Sequence, residues 1–150
     1  LMLPGVADAE RRVRERVDEL VDMFGLDAFR HKFVRELSTG SRRVVDLACI
    51  VAHSPKVILL DEPSSGIAQR ETHALVGVLH RVRERTGASL AIIEHDMPLV
   101  RSVADRLVAM DQGRVIAVGD PDTVLSDPAV VTAYLGRTHH ESVGTQGDHR

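Results

Sequence analysis

Hydrophobic positions along the chain change period several times, and each change marks an element. Val13, Val17, Leu20, Val21 and Phe24 recur at helical spacing with charges between them. That predicts an amphipathic helix over 7–24, ended by Gly25. Residues 26–36 predict a short helix or turn. The small-residue loop Ser38-Thr39-Gly40-Ser41 then precedes a helix over about 42–53, stopped before Pro55. The aliphatic run at 57–60 predicts a buried strand over 57–61. A helix over 71–85 follows, with Leu75, Leu79 and Val82 on one face and Gly87 as its stop. A second strand spans 89–93 and a short helix 97–104. Strands at 106–110 and 114–118 flank Gln112-Gly113, a hairpin turn. Two short helices are expected at about 121–126 and 128–135. Beyond Gly136 apolar periodicity is lost, so 137–150 is expected to be a disordered tail. The strand-helix-strand order from 57 to 93 predicts parallel pairing through a right-handed crossover, and hence an α/β class.

Composition narrows this picture. With 150 residues, 43% hydrophobic and 27% charged, the chain can bury a core of its own. A net charge of −3 and a pI near 6.2 give no global basic signal, so no nucleic-acid partner is expected. The single cysteine, Cys49, excludes an internal disulfide and fits a reducing compartment. It lies within VVDLACIVA and reads as a buried, inert thiol. No apolar stretch approaches the roughly 20 residues that cross a bilayer. The opening LMLPG is too short for a signal peptide and does not begin with Met, so the chain reads as a piece of something longer.

Three segments carry chemistry. In VILLDEP, Asp61 and Glu62 stand at the end of the predicted strand 57–61. The first carboxylate is placed to hold a magnesium ion and the second to polarise a water, an arrangement that hydrolyses nucleoside triphosphates. In LSTGSRR, small residues at a helix start leave backbone amides free. The helix dipole adds positive character, which makes an anion seat. Ser38 adds a hydroxyl there, and Arg42 and Arg43 add charge nearby. By itself such a start is ordinarily only a cap. The third segment is Glu94-His95-Asp96, directly after the second strand. A Gly-Lys-Ser/Thr phosphate loop is missing: the two lysines, Lys32 and Lys56, do not follow a glycine. The histidines of the tail, His139, His140 and His149, read as solvated.

In this order the segments resemble the ATP-binding-cassette (ABC) ATPases, over nearly all of residues 1–136. The family's signature loop, Leu-Ser-Gly-Gly-Gln, corresponds to Leu37, Ser38, Thr39, Gly40 and Ser41. Asp61 and Glu62 match the Walker B aspartate and catalytic glutamate, and His95 the switch histidine. The D-loop falls on Ser65, Gly66, Ile67 and Ala68. The pattern of residues 93–136, from IEHDM to AYLG, is similar to the ATPases of branched-chain amino acid uptake. Two departures stand out. Thr39 and Ser41 replace a glycine and a glutamine of the signature, and Ala68 replaces the aspartate or asparagine of the D-loop.

The resemblance implies a partial P-loop NTPase (RecA-like) core with part of the ABC helical subdomain, lacking the Walker A half. Residues 1–54 would belong to the helical subdomain and 55–136 to the later core and C-terminal elements. It implies ATP and Mg²⁺ as ligands, with Asp61 orienting the ion through water, Glu62 the attacking water and His95 the γ-phosphate. Ser38, Thr39, Gly40 and Ser41, with Ser65 and Gly66, would contact nucleotide across a head-to-tail dimer of two such domains. Closure would drive a membrane permease at the cytoplasmic face of the cell membrane. The chain alone is expected to be inactive and to self-associate. The competing expectation is a non-catalytic interaction or oligomerisation module derived from such an ATPase.

Overall fold

The computed structural model describes residues 4–141. In chain order it contains α1 (Pro4–Phe24), two 3₁₀ turns (Asp27–Phe29 and Val34–Glu36), α2 (Thr39–Ala52), β1 (Val57–Asp61) and α3 (Gln69–Thr86). These are followed by β2 (Ser89–Ile93), α4 (Met97–Val103), β3 (Leu107–Asp111), β4 (Arg114–Gly119), α5 (Pro121–Leu125) and α6 (Pro128–Glu141). The chain forms two compact units that part between Leu99 and Val100. Within the first unit α3 packs on both α1 and α2.

In the first unit, α1, α2 and α3 bury one face each against the others. Leu20, Met23 and Phe24 come from α1, Leu47, Ala48 and Val51 from α2, and Leu75, Val78, Leu79 and Val82 from α3. The spacing of three and four residues is that of a helix with one apolar stripe. Full burial of a side chain such as Leu79 contributes about 1.5–3 kcal/mol. Gly87 stops α3 with φ +66°, a conformation that costs glycine nothing and other residues more. Cys49 corrects an expectation: it is exposed. The buried face of α2 runs through 47, 48 and 51, and position 49 falls outside it. The same helix starts three residues earlier than its apolar pattern suggested, because Ser38 caps it.

β1 and β2 pair in parallel, with Val57 opposite Ser89 and Asp61 opposite Ile93. Their two faces differ sharply. Ile58 is buried, whereas Val57, Leu59 and Ile93 on the other face are 58%, 77% and 68% exposed. A parallel sheet ordinarily has both faces covered.

In the second unit β3 and β4 form an antiparallel hairpin whose register slips between Ala109 and Met110. Gln112 and Gly113 both take positive φ, +48° and +77°, as a tight two-residue hairpin turn requires. Asp120 caps α5, accepting from the amide of Asp122 at 3.0 Å, and Arg101 Nε bonds Asp122 Oδ1 at 2.8 Å. α6 continues past Gly136 to Glu141, where the sequence predicted a stop. A glycine lowers helix stability by about 1 kcal/mol but does not forbid the turn. The rest of the expected tail, 142–150, lies outside the described residues.

Candidate functional site

The parallel ladder determines what stands at the strand ends. Asp61 closes β1 as an exposed carboxylate. The next amide, of Glu62, still donates to Ile93 O at 2.9 Å, one step beyond the paired strands. The chain then turns, and Glu62 takes φ +44°. A non-glycine residue in that region costs on the order of 1–3 kcal/mol and persists only where its surroundings hold it. Here they do: Pro63 is buried behind it, and Ser65 N donates back to Glu62 O at 3.0 Å. The turn aims the Glu62 side chain toward the end of β2. His95 Nδ1 lies 3.6 Å from Glu62 Oε1 and 3.9 Å from Glu94 Oε2, with the imidazole 65% exposed. A carboxylate beside an accessible imidazole is suited to moving a proton from water.

The residue that organises this end of the sheet is one the sequence reading passed over. The Glu94 side chain is 0% exposed. It accepts from Ser64 N at 2.8 Å, His95 N at 3.0 Å and Asp96 N at 3.2 Å. Burial pushes its carboxyl upward, but the Ser64 hydroxyl and amide and the amides of Asp96 and His95 together hold it below the usual carboxylate range. One ionised group thus ties the turn after Glu62 to the segment that carries His95. The available signal was a carboxylate placed directly after the apolar run 90–93, just where chain direction changes.

The second cluster lies at the start of α2. Ser38 is the N-cap: its Oγ accepts from Ser41 N at 3.1 Å and lies 3.0 Å from Ser41 Oγ. Ser38 and Thr39 are exposed, while Gly40 is buried. Arg42 Nε bonds Leu37 O at 3.1 Å, so that side chain steadies the loop. Ser65 and Gly66 lie exposed in the turn between β1 and α3, with Gly66 at φ +72°. The structure therefore brings Asp61, Glu62 and His95 together at the strand ends, and gathers Ser38, Thr39, Gly40 and Ser41 at the helix start.

Among the described residues, no three His, Cys, Asp or Glu side chains form a ready-made cation cage. Asp61 fits a magnesium ion of the kind held by one or two carboxylates, with water and phosphate oxygens filling the other positions.

Sequence comparison gives two family matches. Residues 2–65 match the model described as ABC transporter, and residues 114–140 the branched-chain amino acid ATP-binding cassette transporter. Both matches carry ABC transporter descriptions, and the chain is similar to ABC transporter ATP-binding proteins along most of its length. It is 31% identical over 133 residues to the high-affinity branched-chain amino acid transport ATP-binding protein BraF of Pseudomonas aeruginosa, covering 89% of this chain and 52% of that protein. It is also 36% identical over 126 residues to the sulfate/thiosulfate import ATP-binding protein CysA of Nocardia farcinica, covering 83% and 38%. Two solved structures are similar. The ATP-binding cassette MJ1267 has a TM-score of 0.74 at 28% identity, covering 82% of this chain and 50% of that one. For cbiO1 from Clostridium perfringens, part of the cbiONQ transporter complex, the TM-score is 0.73 at 29% identity, covering 95% and 56%. The chain spans about half the length of BraF.

The P-loop NTPase fold expected from the sequence is thus shown by structural likeness. Against the ABC pattern, Ser41 acts locally on its own cap: its amide donates to Ser38 Oγ, and its hydroxyl lies 3.0 Å from the same oxygen. Ala68, at the D-loop position, is the N-cap of α3 and makes no side-chain cap bond. Capping by asparagine or aspartate would contribute about 1 kcal/mol more. Among the described residues, no helix is long and apolar enough to cross a membrane.

Proposed function

We infer that this chain supplies the signature loop, Walker B carboxylates, D-loop and switch histidine of an ATP-hydrolysing transporter subunit. The observation that carries this reading is Glu62. It is held at positive φ by the β2 ladder, with its carboxylate 3.6 Å from His95. In this reading Asp61 orients Mg²⁺ through water, and Glu62 takes a proton from the attacking water. His95 meets the γ-phosphate. Ser38, Thr39, Gly40 and Ser41, with the turn at Ser65 and Gly66, face an ATP held by a second copy, arranged head to tail.

The remainder of the ATPase core, including a glycine-rich phosphate loop, would lie on the open face of β1–β2. The half-length match to BraF and the exposure of Val57, Leu59 and Ile93 support that assignment. The complete protein would act on a membrane permease from the cytoplasmic side. Branched-chain amino acids are the solutes this reading favours, on the match of residues 114–140 and the likeness to BraF. Likeness to a sulfate importer keeps related solutes open.

The test is Glu62→Gln in the complete ATPase. The amide keeps the shape but cannot accept the proton, so turnover should fall on the order of 10²–10⁴-fold while ATP binding persists. Equal turnover in both forms would leave Glu62 a structural residue and favour a non-catalytic interaction module.

A further inference from the structure

Glu71 stands at the third position of α3. A glutamate there often turns back to the amide of its own N-cap residue. In this chain it reaches a different helix. Its Oε1 accepts the hydroxyl of Ser38, 33 residues away, at 2.7 Å. A carboxylate has no proton to donate, so the single Ser38 proton goes to Glu71. The remaining contacts of that oxygen are then acceptor contacts, from the Ser41 amide at 3.1 Å and the Ser41 hydroxyl at 3.0 Å. Among the described residues, two groups of Ser41 and one of Glu71 fix the Ser38 side chain, and Glu71 is the partner outside its own helix.

Gly40 reports the same packing. A Cβ there would stand 2.8 Å from Glu71 Oε2, 3.0 Å from its Cδ and 3.1 Å from its Cβ. The carboxylate arm therefore lies flat against the Gly40 backbone, and any side chain at 40 would displace it. A larger residue at position 40 would therefore act on Ser38 indirectly, by pushing the Glu71 carboxylate aside.

Glu71 is also tied to the turn before it. Its amide donates to Ala68 O at 2.7 Å, and Ala68 ends the segment 65–68. A shift of that turn must move Glu71, and with it Ser38. By holding the cap residue, Glu71 sets the direction in which the first free amides of α2 point.

We propose that Glu71 is a positioning residue for the signature loop. It aims the start of α2 and couples the 65–68 turn to Ser38 within one subunit. This rests on the reading that Ser38 faces an ATP held by a second subunit.

The test measures ATP turnover and KM in the complete ATPase for Glu71→Ala, Glu71→Gln, Ser38→Ala and the Ser38→Ala/Glu71→Ala pair. Glu71→Ala should lower kcat on the order of 10-fold and leave KM within about twofold, since the subunit's own ATP contacts are intact. Glutamine, which still accepts the hydroxyl, should recover most of the loss. In the Ser38→Ala background, Glu71→Ala should add no further loss, because the contact is already gone. Additive losses that track a lower melting temperature would show that Glu71 only holds helices together, and would overturn the proposal. A damaging Ser38→Ala beside a silent Glu71→Ala would overturn the positioning role alone. Silence of both would overturn the ATP-facing reading of Ser38 together with it.

Discussion

Glu94 Oε1 accepts the amide of Ser64 at 2.8 Å, across 30 residues of sequence. Its other oxygen takes the amides of His95 and Asp96. A buried carboxylate thus bridges the two loops that carry the candidate proton-handling pair, Glu62 and His95.

Replacement of Glu94 should therefore be costly even by its nearest isostere. In Glu94→Gln one of the two oxygens becomes an NH₂ that faces backbone N–H groups. A buried donor left without an acceptor costs about 1–3 kcal/mol. Denaturant unfolding should show a loss of that size. The native carboxyl is held below its usual range, so its stabilisation is complete at neutral pH and is lost as pH falls through that lowered value. The difference between wild type and Glu94→Gln should accordingly shrink in acid. A pH-independent difference would assign the loss to shape rather than charge.

Much of this arrangement was legible in the sequence, for physical reasons that differ by element. β1 and β2 were readable because short apolar runs of that length, bounded by Pro55, Gly87 and a carboxylate turn, have few alternatives. α3 was readable because Leu75, Leu79 and Val82 keep helical period up to Gly87. That Asp61, Glu62 and His95 stand at neighbouring strand ends was readable because parallel pairing of 57–61 with 89–93 brings those ends side by side. What stayed hidden depends on contacts between distant residues. Nothing local says that Glu94 turns inward, that Glu71 leaves its own helix for Ser38, or that Cys49 falls off the buried stripe of α2. The start of α2 was misplaced by three residues because Thr39, Gly40 and Ser41 are poor helix formers. The cap at Ser38, rather than propensity, recruits them.

The 150-residue chain by itself should bind Mg-ATP weakly and not turn it over. Its sequence has no Gly-Lys-Ser/Thr loop, and such a loop provides the main charge and amide contacts to the β- and γ-phosphates. Calorimetric titration should give at most millimolar affinity. Micromolar binding would mean that the clusters at Ser38 and Asp61 form a nucleotide site on their own.

The open face of β1–β2 should drive self-association of the same chain. Among the described residues, Val57, Leu59 and Ile93 present adjoining exposed apolar surface on a parallel pair. Light scattering at micromolar concentration should report a dimer or larger species. Leu59→Lys, on that face, should shift the population toward monomer. A wild-type chain that is monomeric under those conditions would contradict the expectation.

Ser38→Arg in the complete ATPase should block ATP-driven dimer closure without weakening ATP binding to the same subunit. The reason is geometric. Ser38 is exposed at the cap of α2, and the amides that follow it would face the partner's nucleotide, so a bulky side chain there obstructs the contact made in trans. Asp61 and Glu62 sit at the strand ends and remain unaltered in the variant. Lost activity would then come from failed assembly rather than failed chemistry. Mixing the variant with a subunit that carries Asp61→Asn and an intact signature loop separates the two. In the mixed dimer one composite site holds both lesions and the other holds neither. Activity above that of either parent is the expected result. Absence of rescue, with mixed dimers confirmed, would mean that Ser38 acts within its own subunit or serves only as a helix cap.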